Sequence, residues 1–381
     1  APAPAPALEP SAPTLHAPAP SAAAVAEMAE LITASRRPVI IAGRGAVLSR
    51  AGEALEALGD AIDDVLATSA MGHGLFAGSP WAVGISGGFA SPAAARLIAA
   101  SDLVLAFGAS LTRWTTRDGA LISPGAKVVQ VDVAPEALGA HRPVDAAVVA
   151  DAAATARALL DASVRGAGGR DDALAAEIAA GSWRDEAYED AGADGRMDPR
   201  TLSIALDALL PAERTVAVDS GHFMGFPPMY LRVPDSAGFV FAQAFQSIGL
   251  GLAGSIGAAI ARPDRLPVAC LGDGGALMAL PELETLARLR LPMLVVIYND
   301  AAYGAEVHHF RPQGHPVELV QFPDTDFAAL AEAAGARGLT VRGEEDLAAI
   351  EPWLAERDGP LVVDAKITPD FCAEWLEEAF R

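Results

Sequence analysis

From about residue 22 onward, short apolar runs alternate with amphipathic stretches along the chain. Ala23–Ser35 has helical spacing. "RRPVIIAGRGA" (Arg36–Ala46) follows, with a basic start, a continuous apolar run and a glycine turn, and then the helical stretch Ala51–Leu58. The scheme repeats in "DDVLATSA" with "MGHGLFAG", in "PAAARLIAASDLVLAFGASL" and in "AKVVQVDVAP", whose strand ends at Asp132. Apolar runs of strand length without polar alternation are strands covered on both faces. Separated by helices, they predict a parallel, doubly wound sheet. This first unit closes near Ala162.

Residues Ser163–Gly195 are first glycine-rich, then charged ("DDALAAEIAAGSWRDEAYEDAGADG"), and read as a solvated connecting helix. "MDPRTLSIALDALLP" reopens folded structure, with Asp198 as N-cap and Pro199 at the first helical position. Strand-like "RTVAVDSG", "LPVACLGDGG", "PMLVVIYND" and "PLVVDAKI" then alternate with helical "PELETLARLRL" and "DFAALAEAAGA". The prediction is an α/β protein of two doubly wound parallel-sheet (Rossmann-like) domains. An Ala/Pro-rich linker (1–22) leads to the first domain (23–162), a connecting helix (163–196) and the second domain (197–381).

The bulk numbers narrow the partners more than the fold. The length of 381 residues favours two cores. A formal net charge of −22 argues against nucleic-acid or anionic-membrane binding, and no apolar run is long enough for a membrane span. An anionic ligand would need a metal, a helix N-terminus or a ring of amides. The two cysteines, Cys270 and Cys372, fit a reducing cytoplasm, with Cys270 in an apolar run as inert core. The opening "APAPAPALEPSAPTLHAPAPSAAA" lacks the features of a signal peptide and reads as an extended linker.

The chemistry concentrates in two strand ends. "LGDGG" places Asp273 after the strand Leu266–Leu271, and "YND" places Asp300 after Met293–Tyr298. A strand–helix–strand unit makes these strands parallel neighbours, so both carboxylates point into the crevice beyond the sheet. Two carboxylates with backbone carbonyls suit Mg²⁺ or Ca²⁺. Gly272, Gly274 and Gly275 let backbone amides approach a ligand closely. The plain alternative is a tight turn at Asp273 and a helix cap at Asp300. Their joint occurrence predicts metal-assisted diphosphate binding.

With these residues in view, the chain resembles the thiamine diphosphate-dependent enzymes of the acetolactate synthase and pyruvate decarboxylase superfamily. "GDG" followed by "ND" is similar to their cofactor motif, which ends in Asn-Asn in many members. "SIGLGLAGSIGAA" (Ser247–Ala259), "VDSGHF" and "ELETLARLRLP" resemble further segments of the diphosphate-binding domain. "RRPVIIAGRGA", "SDLVLAFGASL" and "VVQVDV" resemble the central domain. The resemblance implies that Asp273, Asp300 and the Ala302 carbonyl bind Mg²⁺. It implies that Gly221, His222, Gly274 and Gly275 lie along the diphosphate and that Phe223, Gly272, Tyr303 and Gly304 also bind the cofactor. Ile248 would support the thiazolium, and the Gln246 carbonyl would meet the aminopyrimidine. The cofactor would serve as electron sink for a 2-keto acid.

"AAYGAEVHHF" should form a helix over the site, with Tyr303, Glu306, His308 and His309 as candidate catalytic groups. His73 is read as structural. In some relatives the segment "GASLTRWTTRDG" holds a flavin, so Arg113 and Arg117 are candidate phosphate contacts, although FAD is not the favoured reading. Family members carry a third, pyrimidine-binding domain with a catalytic glutamate, and no segment here resembles it. A separate polypeptide, cleavage at the linker and truncation would each account for this, and the expectation is one of the first two: a separate chain that supplies the domain, in a dimer or tetramer of such pairs. Carboligation of acetolactate synthase type is the leading reaction; decarboxylation of a 2-keto acid and cleavage of a 2-hydroxyacyl thioester are alternatives. His309 stands where synthases often have tryptophan. A non-catalytic assembly subunit is the rival of another class. A nicotinamide dehydrogenase fits poorly, because "GRGAVLSRAG" lacks the full glycine spacing and neither Asp60 nor Asp63 ends a second strand.

Overall fold

The computed structural model describes residues 16–245 and 247–379. It contains two six-stranded sheets, and every strand pairing within them is parallel. The first comprises β1 (Pro38–Ala42), β2 (Val65–Thr68), β3 (Ala82–Ile85), β4 (Leu103–Phe107), β5 (Lys127–Asp132) and β6 (Ala146–Val149), in the order β3-β2-β1-β4-β5-β6. The second comprises β7 (Arg214–Val218), β8 (Phe239–Phe241), β9 (Leu266–Gly272), β10 (Leu294–Asn299), β11 (Arg337–Val341) and β12 (Leu361–Lys366), in the order β11-β12-β10-β9-β7-β8.

The central strands are buried from end to end, as continuous apolar runs require. The winding reverses between β1 and β4 in the first sheet and between β7 and β9 in the second, where β12 also turns back to lie between β10 and the edge strand β11. Such switch points open a crevice beyond the strand ends. One core cluster crosses from sheet to sheet, joining Ile85 and Phe89 to Val218, Phe241 and Trp375. Phe89 meets Trp114, Phe241 and Trp375 edge-on at centroid distances of 5.2, 6.0 and 5.6 Å. These rings hold the crevices of the two sheets against one another.

Local predictions hold where capping chemistry is explicit. Asp198 caps the helix Pro199–Leu209 through the Arg200 amide at 2.8 Å. Cys270 is fully buried, and burial pushes its thiol up to about 12. The connecting segment departs from a single solvated helix. Only Asp172–Ala179 is helical, and beyond it Trp183 donates to the Phe89 carbonyl at 2.8 Å while Arg184 pairs with the buried Asp207. Gly181 and the apolar Trp183 end the helix and dock its tail between the sheets. Asp60 and Asp63 flank the end of the helix Gly52–Ile62, before β2 rather than after it. Among the described residues, no helix is long and apolar enough to cross a membrane.

Candidate active site

Three acidic residues follow three adjacent strands of the second sheet: Asp219 after β7, Asp273 after β9 and Asp300 after β10. All three are buried. The register staggers them: Ala217 pairs with Ala269 and Tyr298 with Gly272, so Asp219 stands level with Leu271, below Asp273, and Asp300 one residue beyond Asp273. Asp273 opens a short helix, Asp273–Met278, and accepts from the amides of Gly274 at 2.9 Å and Ala302 at 3.1 Å. Those bonds do not offset its desolvation, and burial pushes its carboxyl up to about 7. Asp300 is raised well above the usual carboxylate range by burial and by the charge of Asp273. No basic side chain forms a salt bridge to either carboxylate among the described residues. A pair of buried, unneutralised carboxylates is the chemistry of a cation site. Among the described residues, no three His, Cys, Asp or Glu side chains converge as metal ligands. A cation here would complete its shell with backbone carbonyl and ligand oxygens, as hard cations do.

The floor around the pair is made of glycines that tolerate no side chain. A Cβ on Gly304 would strike the Asp300 carboxylate, and one on Gly274 would strike the Tyr303 ring. On Gly275 it would lie 2.6 Å from an Asp219 oxygen, and on Gly272 it would lie 3.0 Å from the Phe223 ring. Gly221 and Gly249 have φ of +145° and +89°, which favour glycine. Asp219, which sequence reasoning overlooked, fastens the two glycine loops. It accepts from the amides of Ser220 and Gly249, both at 2.9 Å. Its only sequence signal was an acidic residue ending the apolar run "TVAV".

These groups face a cleft of about 670 Å³ between the two sheets, within the range of small-molecule sites. The cleft brings together Gly221, His222, Phe223, Ile248, Gly272, Asp273, Gly274, Gly275, Asp300, Ala302, Tyr303, Gly304 and Glu306, all read from the sequence. Gln246 lies outside the described residues. His308 and His309 are on the expected helix, Gly304–Phe310, but neither lines the cleft. His308 packs on His222 with ring centroids 4.5 Å apart, whereas His309 meets Phe310 at 4.7 Å and Gln313 at 3.3 Å. Adjacent helical positions point about 100° apart, so the two rings cannot share one environment. The His222 Nε2 accepts from the Ala373 amide at 3.0 Å, and burial with the nearby His308 lowers its pKa to about 3.

Other polar groups support the strand ends. Asn299 donates to Asp364 at 2.8 Å, and Asp364 pairs with Lys366 at 2.8 Å. Asn299 therefore braces β10 against β12, leaving Asp300 to face the cleft. Arg117 donates to the carbonyls of Gly87 and Ala90, both at 3.1 Å, and Arg113 pairs with Asp118. His73 does not line the main cleft. Its ring meets Phe239 at 4.9 Å, and burial lowers its pKa to about 4.

Comparison with known proteins agrees with this geometry. Residues 25–159 match the family model for the thiamine pyrophosphate enzyme central domain, and residues 219–365 match that for the C-terminal TPP binding domain. A sulfoacetaldehyde acetyltransferase of Rhodobacter capsulatus is 30% identical over 72% of this chain and 50% of its own length. An acetolactate synthase large subunit of Parasynechococcus marenigrum is 29% identical over 74% of this chain and 47% of its own. A putative thiamine pyrophosphate-containing protein of Bacillus subtilis is 27% identical over 63% and 42%. The chain spans about half the length of these curated relatives.

Proposed function

The chain belongs to the thiamine pyrophosphate enzyme family, and from that premise we propose that it holds the metal and diphosphate end of the cofactor in an enzyme acting on 2-keto acids. The reaction is decarboxylation followed by carboligation, as the name of its acetolactate synthase relatives describes. The observation that carries this reading is the pair of buried, uncompensated carboxylates, Asp273 and Asp300, above a glycine floor in the interdomain cleft. When bound, thiamine diphosphate supplies the electron sink that a 2-keto acid needs to lose CO₂.

The chain's own residues bind, orient and exclude water. Asp273, Asp300 and the Ala302 carbonyl hold Mg²⁺. The loops at Gly221–Phe223 and Gly272–Gly275, with Tyr303 and Gly304, take the diphosphate. Ile248, which lines the cleft at 37% exposure, supports the apolar part of the cofactor. Glu306 and the Tyr303 hydroxyl line the cleft and serve as proton-carrying groups toward the substrate. His308 acts through its contact with His222 rather than on substrate.

The partner in this reading is a chain carrying the pyrimidine-binding domain and its glutamate, assembled as a dimer or tetramer of such pairs in the cytoplasm. It covers the exposed apolar residues close in sequence to the cleft-lining Gln243, Ile248 and Gly275, where Phe245 is 78%, Leu250 43% and Met278 52% exposed. Such an exposed apolar set is the character of an interaction surface. The experiment is to supply pyruvate, Mg²⁺ and thiamine diphosphate to the natively purified protein with its companions. Release of CO₂ with acetolactate formed supports carboligation, and free aldehyde instead assigns a decarboxylase. No CO₂ from any 2-keto acid would overturn the reading in favour of a thioester lyase or an assembly subunit.

A further inference from the structure

The wall of the cleft opposite the carboxylates carries a second set of polar groups that the cofactor reading leaves unused. They stand at the switch point of the first sheet. Ala42 of β1 pairs with Thr68 of β2 and with Phe107 of β4, so the three strands end at one level. Ser69 follows β2 directly, Arg44 comes two residues after β1 and Ser110 three residues after β4. All three line the same cleft as Asp273 and Glu306.

The backbone beneath them is fixed. The Ser69 amide donates to the Ala42 carbonyl at 2.9 Å, Gly43 to Phe107 at 2.9 Å and Gly45 to Gly108 at 3.0 Å. A Cβ on Gly45 would come within 2.7 Å of Gly108 Cα, so the two loops interlock. The side chains, by contrast, are uncommitted. Among the described residues, the Arg44 guanidinium and the Ser69 and Ser110 hydroxyls make no hydrogen bond or ion pair. The neighbouring arginines differ, since Arg113 and Arg117 are both engaged. In a chain of net charge −22, an exposed, unpaired guanidinium lining the same cleft as two uncommitted hydroxyls is a receptor for an oxyanion.

We infer that Arg44, with Ser69 and Ser110, binds the carboxylate or sulfonate that the substrate carries, and so makes the enzyme selective for anionic over neutral carbonyl compounds. This rests on the 2-keto acid reading above. The metal–diphosphate wall holds the cofactor, and the Arg44 wall orients the substrate's charged end across the cleft. A monodentate lysine would retain the charge but lose the fork that matches a planar carboxylate.

The test compares Arg44→Gln and Arg44→Lys with the wild type in the assembled protein. For pyruvate, Arg44→Gln raises KM about five- to tenfold, the value of one partly solvated charge-assisted contact, with a smaller effect on kcat. For methyl pyruvate, which lacks the charge, KM changes less than twofold, and Arg44→Lys recovers part of the loss. Independently of turnover, quenching of Trp114 and Trp375, which both line the cleft, reports pyruvate binding directly. Equal binding by wild type and Arg44→Gln would overturn the inference even if every 2-keto acid were turned over. Absence of turnover with Arg44-dependent binding would overturn the reaction and leave the anion subsite standing. If Arg44→Gln weakened binding of FAD or ADP and not of pyruvate, the oxyanion would be a nucleotide phosphate and the inference would be wrong.

Discussion

Asp273→Asn separates the stability of the site from its function. In the metal-free protein, Asp273 and Asp300 are both buried; burial raises the cost of ionising Asp273, and burial together with the Asp273 charge raises that of Asp300. A carboxyl raised from 3.8 to about 7 is destabilised, when ionised, by about 4 kcal/mol at three pKa units. The sign follows from linkage. The folded pKa exceeds the unfolded one, so the folded state binds the extra proton, and stability from this group is full below pH 3.8 and lost as pH rises through about 7. Asparagine at 273 keeps the shape and one acceptor oxygen and removes the charge. Allowing half the shift for relaxation, the variant gains about 2 kcal/mol at pH 8 in EDTA, a rise in Tm of about 4–8 °C for a unit of this size. The gain falls to less than half of this at pH 5 and vanishes only below pH 3.8. Mg²⁺ with thiamine diphosphate raises the wild-type Tm and leaves that of the variant where it was. Thermal unfolding by circular dichroism at the two pH values, with and without ligand, reads all four quantities. A variant that melts below the wild type in EDTA at pH 8, or gains equally at both pH values, would refute the reasoning.

Three further outcomes are expected. Gly304→Ala presses a methyl into the buried Asp300 carboxylate, so Mg²⁺ affinity by calorimetry falls at least about tenfold and the melting temperature of the metal-free protein falls with it. Asp219→Ala leaves the Ser220 and Gly249 amides without their acceptor and costs about 2–3 kcal/mol in urea unfolding, because buried donors lose their partner. His222 has its folded pKa depressed to about 3 from 6.5, so its contribution to stability is complete above pH 6.5 and is lost as pH falls toward 3. It removes about 2 kcal/mol by pH 5, and His222→Asn should abolish that part of the acid slope in urea titrations; an unchanged slope would show that His222 stays neutral for another reason.

The parts of the molecule legible in the sequence are those fixed by local chemistry. "PVIIA", "LVLAF" and "LVVIYN" are apolar throughout, and only a sheet covered on both faces buries such runs. Asp273 and Asp300 were visible because each ends one of these runs beside glycine or at a turn. The less legible features depend on contacts between distant segments. Asp219 is one acidic residue among many until Gly249 arrives from 30 positions away to donate to it. "HH" reads as a pair, yet the helix turns His308 onto His222 and His309 toward Gln313. Arg44 looked like part of a glycine turn, and only the meeting of β1, β2 and β4 shows it to be unpaired among the described residues and facing the same cleft as Asp273. Trp183 lay in a charged stretch, and its hydrogen bond to the Phe89 carbonyl and ring contact with Tyr230 come from segments distant in the chain.

Calorimetric titration of the natively purified protein with thiamine diphosphate, in Mg²⁺ and again in EDTA, tests the central claim most directly. The account predicts binding of one cofactor per chain in Mg²⁺, its loss in EDTA, and its loss in Asp273→Ala even with Mg²⁺ present. Binding that persists unchanged in EDTA and in Asp273→Ala would contradict it, because the buried carboxylate pair would then have no part in holding the diphosphate.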